Sequence, residues 1–238
     1  MASRRRVAAF CTSHCNTCVA PDVSIAAVGS GSVTTAVQQR PVEREHTFVI
    51  DAGHGGIDGG ATSCTGVLES AFNLQICLRL NDLLHLLGFD TVMIRTTDTS
   101  VYTEGNTIAS QKISDLKERV RIVRETEDAV LISIHQNTFS DSRYSGAQVF
   151  YADTEGSKTL AEILQSSFVK VLNPTSRRVC KKAGSVYLMQ NIECTGVLIE
   201  CGFLSNPEEE AMLRDSGYQQ QLCCVIAAGL TEFLHSDG

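Results

Sequence analysis

The segment that most constrains the fold of this chain spans residues 47–61 and reads TFVIDAGHGGIDGGA. An apolar run at 48–50 is typical of a buried strand, and His54 and five glycines follow it within ten residues. In open α/β sheets, loops of this kind lie outside the carboxyl ends of the strands, where ligands bind. No Gly-Lys-Ser/Thr follows, and the spacing does not fit G-x-G-x-x-G, which argues against a phosphate-binding loop. The segment therefore predicts a strand that presents His54 at a site.

The rest of the chain alternates between apolar runs that fit strands and segments with helical periodicity. Further strands are predicted at 91–94, 129–134, 146–151 and 196–199. Helices are predicted at 69–87, 114–126, 158–172 and 218–234, with a short acidic helix beginning at Pro207. Ser114 is the expected N-cap of the second helix, and Arg119 is expected on one of its wetter sides. The alternation predicts an α/β fold whose largely parallel sheet is covered by helices on both faces.

The first 45 residues differ in composition from the rest of the chain. Three arginines precede an apolar run that breaks at Thr12, too early for an ordinary export signal. A metal-like spacing also occurs in this region, at Cys11, His14, Cys15 and Cys18. No surrounding fold is predicted that would brace a zinc site there, so a thiol-rich tail is the preferred interpretation. We expect residues 1–45 to be a leader or linker, either disordered or an atypical export signal, and residues 46–238 to form one domain.

Composition narrows the classes of partner. The net charge of −7 argues against nucleic acid or an anionic membrane surface as the main partner. No run of 18 consecutive apolar residues occurs, so no transmembrane helix is predicted. The ten cysteines are scattered and do not resemble the dense framework of a small disulfide-stapled fold. With only 6% aromatic residues and no tryptophan, a stacking platform for bases or sugars is not predicted.

Three predicted strands each end in a residue type that binds metals or transfers protons, namely His54, His135 and Glu200. The carboxyl ends of parallel strands lie at one edge of a sheet, so these side chains are expected to converge. Glu69 begins the helix after the glycine loop and can face the same crevice. Two imidazoles and one carboxylate form the ligand set of an open catalytic zinc site, and a second carboxylate can accept a proton from water.

Each of these residues also has a purely structural interpretation when taken alone. Glu69 would be an acid favoured by the helix dipole, His135 a satisfied strand-end histidine, and Glu200 an ion-paired acid. Their joint placement at one predicted edge of the sheet favours a catalytic role over these structural interpretations. Cys64, between His54 and Glu69, is a rival ligand that would make the site more structural, whereas Cys201 should point away from Glu200 and pack.

Four segments resemble the signatures of the zinc-dependent N-acetylmuramoyl-L-alanine amidases of bacterial cell walls: DAGHGGIDGGA (51–61), GVLESAFNL (66–74), SIHQN (133–137) and IECGFLSN (199–206). The resemblance is greatest to the germination-specific, spore-cortex amidases of that family. It implies a three-layer α/β/α sandwich around a mostly parallel sheet of about six strands, forming a catalytic domain at 46–238. It also implies one Zn²⁺ per chain held by His54, Glu69 and His135, with Glu200 as the catalytic carboxylate.

The reaction implied by this resemblance is hydrolysis of the amide between the lactyl group of N-acetylmuramic acid and the L-alanine of the peptidoglycan stem peptide. The spore-cortex likeness implies stem-peptide removal during cortex maturation, which allows muramic-δ-lactam to form. It also implies a location outside the cytoplasmic membrane, in the cell envelope or the forespore intermembrane space. Gly55, Gly56 and Asn137 are the expected substrate-binding residues, with a turn role as the alternative for each.

Two other functions are compatible with these residues. The first is a peptidoglycan-binding module of the same fold that is catalytically silent or depends on an accessory activating protein. The intact Glu200 argues against it, since a binding module needs no base. The second is a zinc peptidase with the same metal chemistry that cuts between amino acids. One departure from the family pattern is Ala52, which occupies a position where proline is usual. This difference changes the stiffness of the backbone and leaves the metal ligands unchanged.

Overall fold

The structure is a computed structural model that describes residues 46–236. The predicted leader at 1–45, including the spacing at Cys11, His14, Cys15 and Cys18, lies outside the described residues. The described part is built on one six-stranded sheet with strands β1 (Thr47–Ala52), β2 (Asp90–Met93), β3 (Ala129–Asn137), β4 (Gln148–Tyr151), β5 (Lys181–Lys182) and β6 (Thr195–Phe203). Their order across the sheet is β2-β1-β3-β6-β4-β5. Only the β4–β6 pairing is antiparallel, so the predicted mostly parallel sheet is confirmed.

Within the described residues, six helices cover the sheet: α1 (Glu69–Leu86), α2 (Ile108–Glu125), α3 (Ser157–Val171), α4 (Tyr187–Asn191), α5 (Pro207–Arg214) and α6 (Ser216–Ser236). Alternate residues of a strand face opposite sides of a sheet, and the core divides accordingly. In β3, Val130, Ile132 and Ile134 pack in a cluster with α1, α3 and α6, whereas Ala129 and Leu131 pack with α2 and α4. This is the three-layer α/β/α architecture that the sequence predicts.

The largest difference from the predicted elements is the start of α2. The helix begins at Ile108, with Thr107 as its N-cap in a reciprocal capping box with Ser110, so the prediction of Ser114 as the cap is wrong. Ser114 is buried inside the helix, where its hydroxyl accepts hydrogen bonds from the backbone N–H groups of Thr103 and Glu104. The polar segment before the helix therefore folds back onto α2, a tertiary contact that local capping signals do not encode.

The strands β3 and β6 extend further than their apolar runs. β3 continues through Asn137 and β6 through Phe203, so His135 and Glu200 lie inside strands rather than at their ends. A cavity lined by Ser133 and His135 of β3 and by Leu198 of β6 lies along this part of the sheet. The sequence also gave no sign of the two-residue strand β5 or the single-turn helix α4.

All seven cysteines in the described part of the chain are free thiols. Cys77, Cys201 and Cys223 are buried in the core, where a thiol packs as a small hydrophobe. None of the described helices is long and apolar enough to span a membrane.

Candidate metal centre

The loop after β1 has a backbone path that brings His54 back over the sheet. His54 itself has φ 62°, in the left-handed region that a non-glycine residue seldom adopts. Gly55 and Asp58 close a tight turn by exchanging backbone hydrogen bonds of 2.7 and 3.1 Å. Gly55 and Gly56 also have positive φ, at 132° and 57°, which explains the density of glycine here.

Two buried arginines hold the carbonyl groups of this loop. Arg95 donates through Nε to the Ala52 carbonyl at 2.8 Å and through Nη2 to the Gly53 carbonyl at 3.1 Å. Arg119, from α2, donates to the carbonyl of Ala52 at 3.0 Å and to that of His54 at 2.7 Å. These contacts satisfy backbone acceptors that the irregular path leaves without strand partners.

The charge of Arg119 is balanced by Asp51, the fifth residue of β1, and by Asp115 one turn earlier in α2. Burial alone would raise the pKa of Asp51, but the nearby Arg119 guanidinium holds it below its ordinary value. The expectation that Arg119 lies on a solvent-facing side of its helix is therefore wrong, since only 3% of the residue is exposed. Its buried carboxylate partner, far away in sequence, decides the orientation.

The three predicted ligands come together. The Nε2 atom of His54 lies 3.3 Å from one carboxylate oxygen of Glu69, and the Nδ1 atom of His135 lies 3.0 Å from the other. One donor atom from each of the three residues lies within 4.8 Å of the other two. β1 and its loop supply His54, the first turn of α1 supplies Glu69, and β3 supplies His135.

Outer contacts fix these side chains. Oδ2 of Asp58 lies 3.0 Å from Nδ1 of His54, and Lys112 holds the other carboxylate oxygen of Asp58 at 2.8 Å. The Glu69 carboxylate accepts backbone hydrogen bonds from Ala61 at 3.0 Å and from Gln136 at 3.1 Å. Carboxylate partners of this kind orient ligand histidines in metal sites.

Burial tends to lower the pKa of His54, but its hydrogen bonds and attraction to Glu69, reinforced by Asp58, raise that pKa to about 9. Burial opposes ionisation of Glu69 as well, yet its hydrogen bonds to His135 and His54 hold its pKa far below the ordinary value. Without a metal, the Glu69 carboxylate therefore attracts protons onto the imidazole beside it. A cation bound between the three side chains would take over that charge-balancing role.

Glu200 lies beside the cluster on the neighbouring strand, in direct register with His135. Burial, together with the negative charge of Glu69, raises its pKa to about 7, although the two histidines oppose this shift. Its Oε2 atom is buried and has no hydrogen-bond partner among residues 46–236. Buried carboxylate oxygens are normally paired, so this one is expected to meet a group that arrives from outside the chain.

The residues present fit a zinc ion. Two imidazole nitrogens and one carboxylate oxygen within 4.8 Å are a typical three-ligand set that leaves one position open. The unpartnered oxygen of Glu200 lies on the strand next to that set. Cys64 is exposed and is not among the converging residues, so the rival thiolate ligand is not supported by the geometry.

The glycines of the loop mostly allow close packing within the site. A Cβ on Gly53 would lie 2.2 Å from the His135 ring, and one on Gly60 would lie 2.6 Å from the Glu69 carboxylate. Cβ atoms on Gly55 and Gly56 would collide with the backbone at Thr99 and Ser100. Gly55 and Gly56 are thus needed for close packing of the loop. Contact of these two glycines with the substrate stays a prediction.

Asn137, the other predicted substrate-binding residue, is the last residue of β3, where the pairing with β6 is irregular. Its carbonyl accepts a hydrogen bond from Leu204 at 2.8 Å. Cys201 is 1% exposed and belongs to the core cluster on the opposite face from Glu200, as the strand alternation predicts.

Asp51, Asp58, Arg95 and Arg119 were not singled out from the sequence as supports of the site. The signal for the two aspartates was present, since both flank His54 within the glycine-rich segment. No local signal identified the two arginines, because their partners are backbone carbonyls in a distant loop.

Comparison with known proteins agrees with this geometry. Residues 48–232 match the family model described as N-acetylmuramoyl-L-alanine amidase. The chain belongs to this amidase family. The chain is 35% identical over 191 residues to the germination-specific N-acetylmuramoyl-L-alanine amidase of Bacillus subtilis, covering 79% of this chain and 80% of that protein.

Two solved structures extend the likeness to the fold. The CwlD amidase of Clostridioides difficile, determined in complex with the GerS lipoprotein, is 36% identical with a TM-score of 0.77, covering 80% of this chain and 99% of that one. An N-acetylmuramoyl-L-alanine amidase from Clostridium difficile 630 is 32% identical with a TM-score of 0.71, covering 82% of this chain and 100% of that one. The resemblance to the amidase family, and with it the amidase activity on peptidoglycan, is confirmed by these matches.

Proposed function

We propose that this amidase is zinc-dependent, with His54, Glu69 and His135 as ligands of one Zn²⁺ and Glu200 as the catalytic carboxylate. The observation that carries this proposal is the buried, unpartnered Oε2 atom of Glu200 on the strand next to three converging donor atoms. A structural ion pair would have satisfied that oxygen. A base that receives its proton from an incoming water is left open in this way.

The bond that breaks joins the lactyl carbonyl carbon of N-acetylmuramic acid to the alanine nitrogen, and a water oxygen replaces the nitrogen. A bound zinc ion would polarise that carbonyl and lower the pKa of water toward ~7. Glu200, whose pKa is raised to about 7, accepts the proton of the attacking water. It then returns a proton to the departing alanine nitrogen, so one carboxylate acts as base and then as acid.

We further propose that the biological role is stem-peptide removal during spore-cortex maturation, which allows muramic-δ-lactam to form. The similarity to a Bacillus subtilis protein named as germination-specific supports this role. The enzyme would then act outside the cytoplasmic membrane, with residues 1–45 as leader or linker and 46–238 as the catalytic domain.

An accessory protein is the second part of the proposal. The similar CwlD amidase was solved in complex with the GerS lipoprotein. We propose that this chain also binds an accessory activating protein. Full activity would then require the partner, and the isolated chain would resemble the silent peptidoglycan-binding module that is the alternative function.

The proposal is tested on the purified full chain by measuring bound zinc and the release of stem peptide from denuded peptidoglycan. Glu200→Gln should keep about one zinc per chain while turnover falls about 10²- to 10⁴-fold. Glu208→Gln, an exposed acid at the start of α5, is the matched control and should behave as the wild type. Absence of zinc after reconstitution would contradict the ligand assignment.

Product analysis separates the remaining alternatives. A free lactyl carboxylate on muramic acid identifies the amidase reaction, whereas intact muramoyl-alanine identifies a peptidase. Zinc binding without turnover, in the wild type as well as in the variant, would favour the partner-dependent form. Adding candidate accessory lipoproteins should then restore turnover to the wild type and not to Glu200→Gln.

A further inference from the structure

A basic cleft lies on the other side of Glu200 from the three converging donors. The strand order places β6 between β3, which carries His135, and β4. On β4, Gln148 is in direct register with Glu200, and Gln148 is part of the lining of this cleft. Neighbouring antiparallel residues have Cα atoms only about 5 Å apart, so Gln148 in the lining of the cleft lies one strand away from Glu200.

The charge of the cleft is opposite to that of the whole chain. Its lining includes four cationic side chains and a single acid, Asp141, in a protein of net charge −7. The cations are Arg143, Arg177, Arg178 and Lys181. Arg143 is paired with Asp141 at 2.7 Å, whereas Arg177 and Lys181 are exposed and have no ion pair within residues 46–236. The cleft therefore presents uncompensated positive charge to solvent.

Arg178, which lines this cleft, is held in place by several contacts. Its Nε donates to the Ser145 carbonyl at 3.0 Å, its Nη1 donates to Oε1 of Gln148 at 3.3 Å, and its Cζ lies 4.9 Å from the centre of the Phe203 ring. The Nη2 group has no hydrogen-bond partner within the described part of the chain and can donate to a ligand. Because hydrogen bonds already hold this guanidinium in place, it loses little side-chain conformational entropy when it binds a carboxylate.

A nearby buried acid, Glu209, attracts Arg178 and offsets part of its charge, whereas Arg177 and Lys181 have no ion pair within residues 46–236. Both carboxylate oxygens of Glu209 accept backbone hydrogen bonds, from Gly146 at 2.7 Å and from Phe203 at 2.8 Å. Glu209 thus fixes the backbone of Gly146, which follows the cleft residue Ser145, and of Phe203, whose ring contacts Arg178. The cations in front of it remain available for a ligand from solution.

The two parts of the substrate differ in charge. In the scissile amide, the only carboxyl group of N-acetylmuramic acid is already consumed, so the N-acetylated glycan is neutral. The stem peptide beyond the amide carries free carboxylates, at least at its C-terminal end. Only this half of the substrate matches a cationic cleft beside Glu200.

We propose that the cleft formed by Arg177, Arg178 and Lys181 binds carboxylates of the stem peptide and thereby sets which side of the scissile amide faces β4. This inference rests on the proposed amidase function and adds to it the orientation of the substrate. Glycan would extend from the opposite side of Glu200, toward the loop after β1.

The test uses the full chain and a synthetic stem peptide beginning with L-alanine, in one form with free carboxylates and in one form with all carboxylates amidated. The variant is Arg177→Glu combined with Lys181→Glu, two exposed side chains outside the catalytic machinery. Isothermal titration should show about tenfold weaker binding of the free-carboxylate peptide to this variant. Wild-type affinity should fall as salt is raised, and the amidated peptide should bind weakly to both proteins.

The matched control is Lys117→Glu combined with Lys158→Glu, which changes the net charge equally on α2 and at the start of α3, outside the cleft. This control should bind the free-carboxylate peptide as the wild type does. Should the charge reversal impair folding, Arg177→Gln with Lys181→Gln removes the charges and should give an intermediate loss. Equal affinity of wild type and both cleft variants would overturn the inference.

The outcomes for the cleft and for the function are distinguishable, because peptide binding needs no turnover. Peptide binding that depends on the cleft, without hydrolysis of peptidoglycan even after candidate accessory lipoproteins are added, would support the cleft and contradict the proposed catalytic site. Hydrolysis with a KM that the cleft variant leaves unchanged would support the amidase and contradict the cleft. When both hold, the variant should raise KM about tenfold for the anionic substrate and leave kcat unchanged.

Discussion

Two glutamates beside the same histidine, His135, have opposite electrostatic environments. Glu69 is surrounded by two imidazoles and backbone donors, which hold its pKa far below the ordinary value. Glu200 has one oxygen without a hydrogen-bond partner among the described residues, and burial raises its pKa to about 7. Residues of one type whose pKa values are pushed apart commonly have different roles. The contrast supports a ligand role for Glu69 and a proton-transfer role for Glu200.

The raised pKa of Glu200 predicts a pH-dependent stability difference in the metal-free protein. A group whose pKa is higher in the folded state contributes stability below its unfolded pKa, near 4.5, and loses it as the pH rises through about 7. Glu200→Gln removes this loss. The free energy of unfolding of Glu200→Gln, relative to that of the wild type, should therefore increase by about 2 kcal/mol between pH 5 and pH 8.

Urea unfolding of the metal-free proteins at both pH values measures this difference. Glu208→Gln, at an exposed position, should show no such gain. A stability difference between Glu200→Gln and the wild type that stays constant with pH would contradict the raised pKa.

Gly53→Ala tests how closely the loop packs against the metal centre. The added Cβ would lie 2.2 Å from the His135 ring, so the imidazole must move. We expect zinc affinity, measured by competition with a chelator, to fall about 10- to 100-fold. Gly184→Ala is the control, because nothing lies within 4 Å of its added Cβ and its affinity should be unchanged. Unchanged affinity in Gly53→Ala would show that His135 is not a ligand.

At the scale of elements, the position of α2 relative to β1 is set by one buried ion pair. Arg119 reaches from α2 to the Asp51 carboxylate and to two carbonyls at the end of β1. Ser133 of β3 donates to the same carboxylate at 2.6 Å. One helix and two strands are thereby joined directly beneath the loop that carries His54.

Replacing Arg119 by methionine should destabilise the fold strongly, because Asp51 would be left buried without its counter-charge. Breaking a buried pair costs about 3–5 kcal/mol. Arg121→Met, two residues along the same helix, removes an exposed arginine that pairs with Glu118, and should cost less than about 1 kcal/mol. Chemical denaturation of both variants measures the difference, and similar costs for the two would contradict the structural role of Asp51.

At the scale of the whole molecule, the sheet with its two covered faces forms a single layered core. The two apolar clusters involve all strands from β1 to β4 and β6, and each of the six described helices contributes buried side chains to them. The family match at 48–232 covers the same part of the chain. Both clusters, as far as the structure describes them, lie within residues 48–234.

The predicted domain boundary is tested with a fragment of residues 46–238. We expect its thermal unfolding midpoint to lie within about 2 °C of that of the full chain, with the same zinc content. Cooperative unfolding of both proteins should be observed by circular dichroism. A fragment that is unfolded, or that loses zinc, would show that residues 1–45 belong to the domain.

The sequence by itself determined the layered α/β fold, most element positions, and the identity of the residues that converge. It could do so because strand and helix periodicity is local, and because parallel strands bring their carboxyl ends to one edge wherever the chain runs in between. The expected convergence of His54, His135 and Glu200 followed from that rule, and Glu69 was expected beside them because it begins the helix after the glycine loop. The four amidase-like segments then indicated the family.

Only the tertiary structure decided which polar residues are buried and what they contact. Helical periodicity placed Arg119 on the surface, yet a distant carboxylate and loop carbonyls draw it into the core. The start of α2 and the extension of β3 and β6 past their apolar runs likewise depend on neighbouring elements. The basic cleft beside Glu200 unites residues from β4, β5 and the loops around them. Such contacts depend on charge and hydrogen bonding between segments far apart in the chain, which no local pattern encodes.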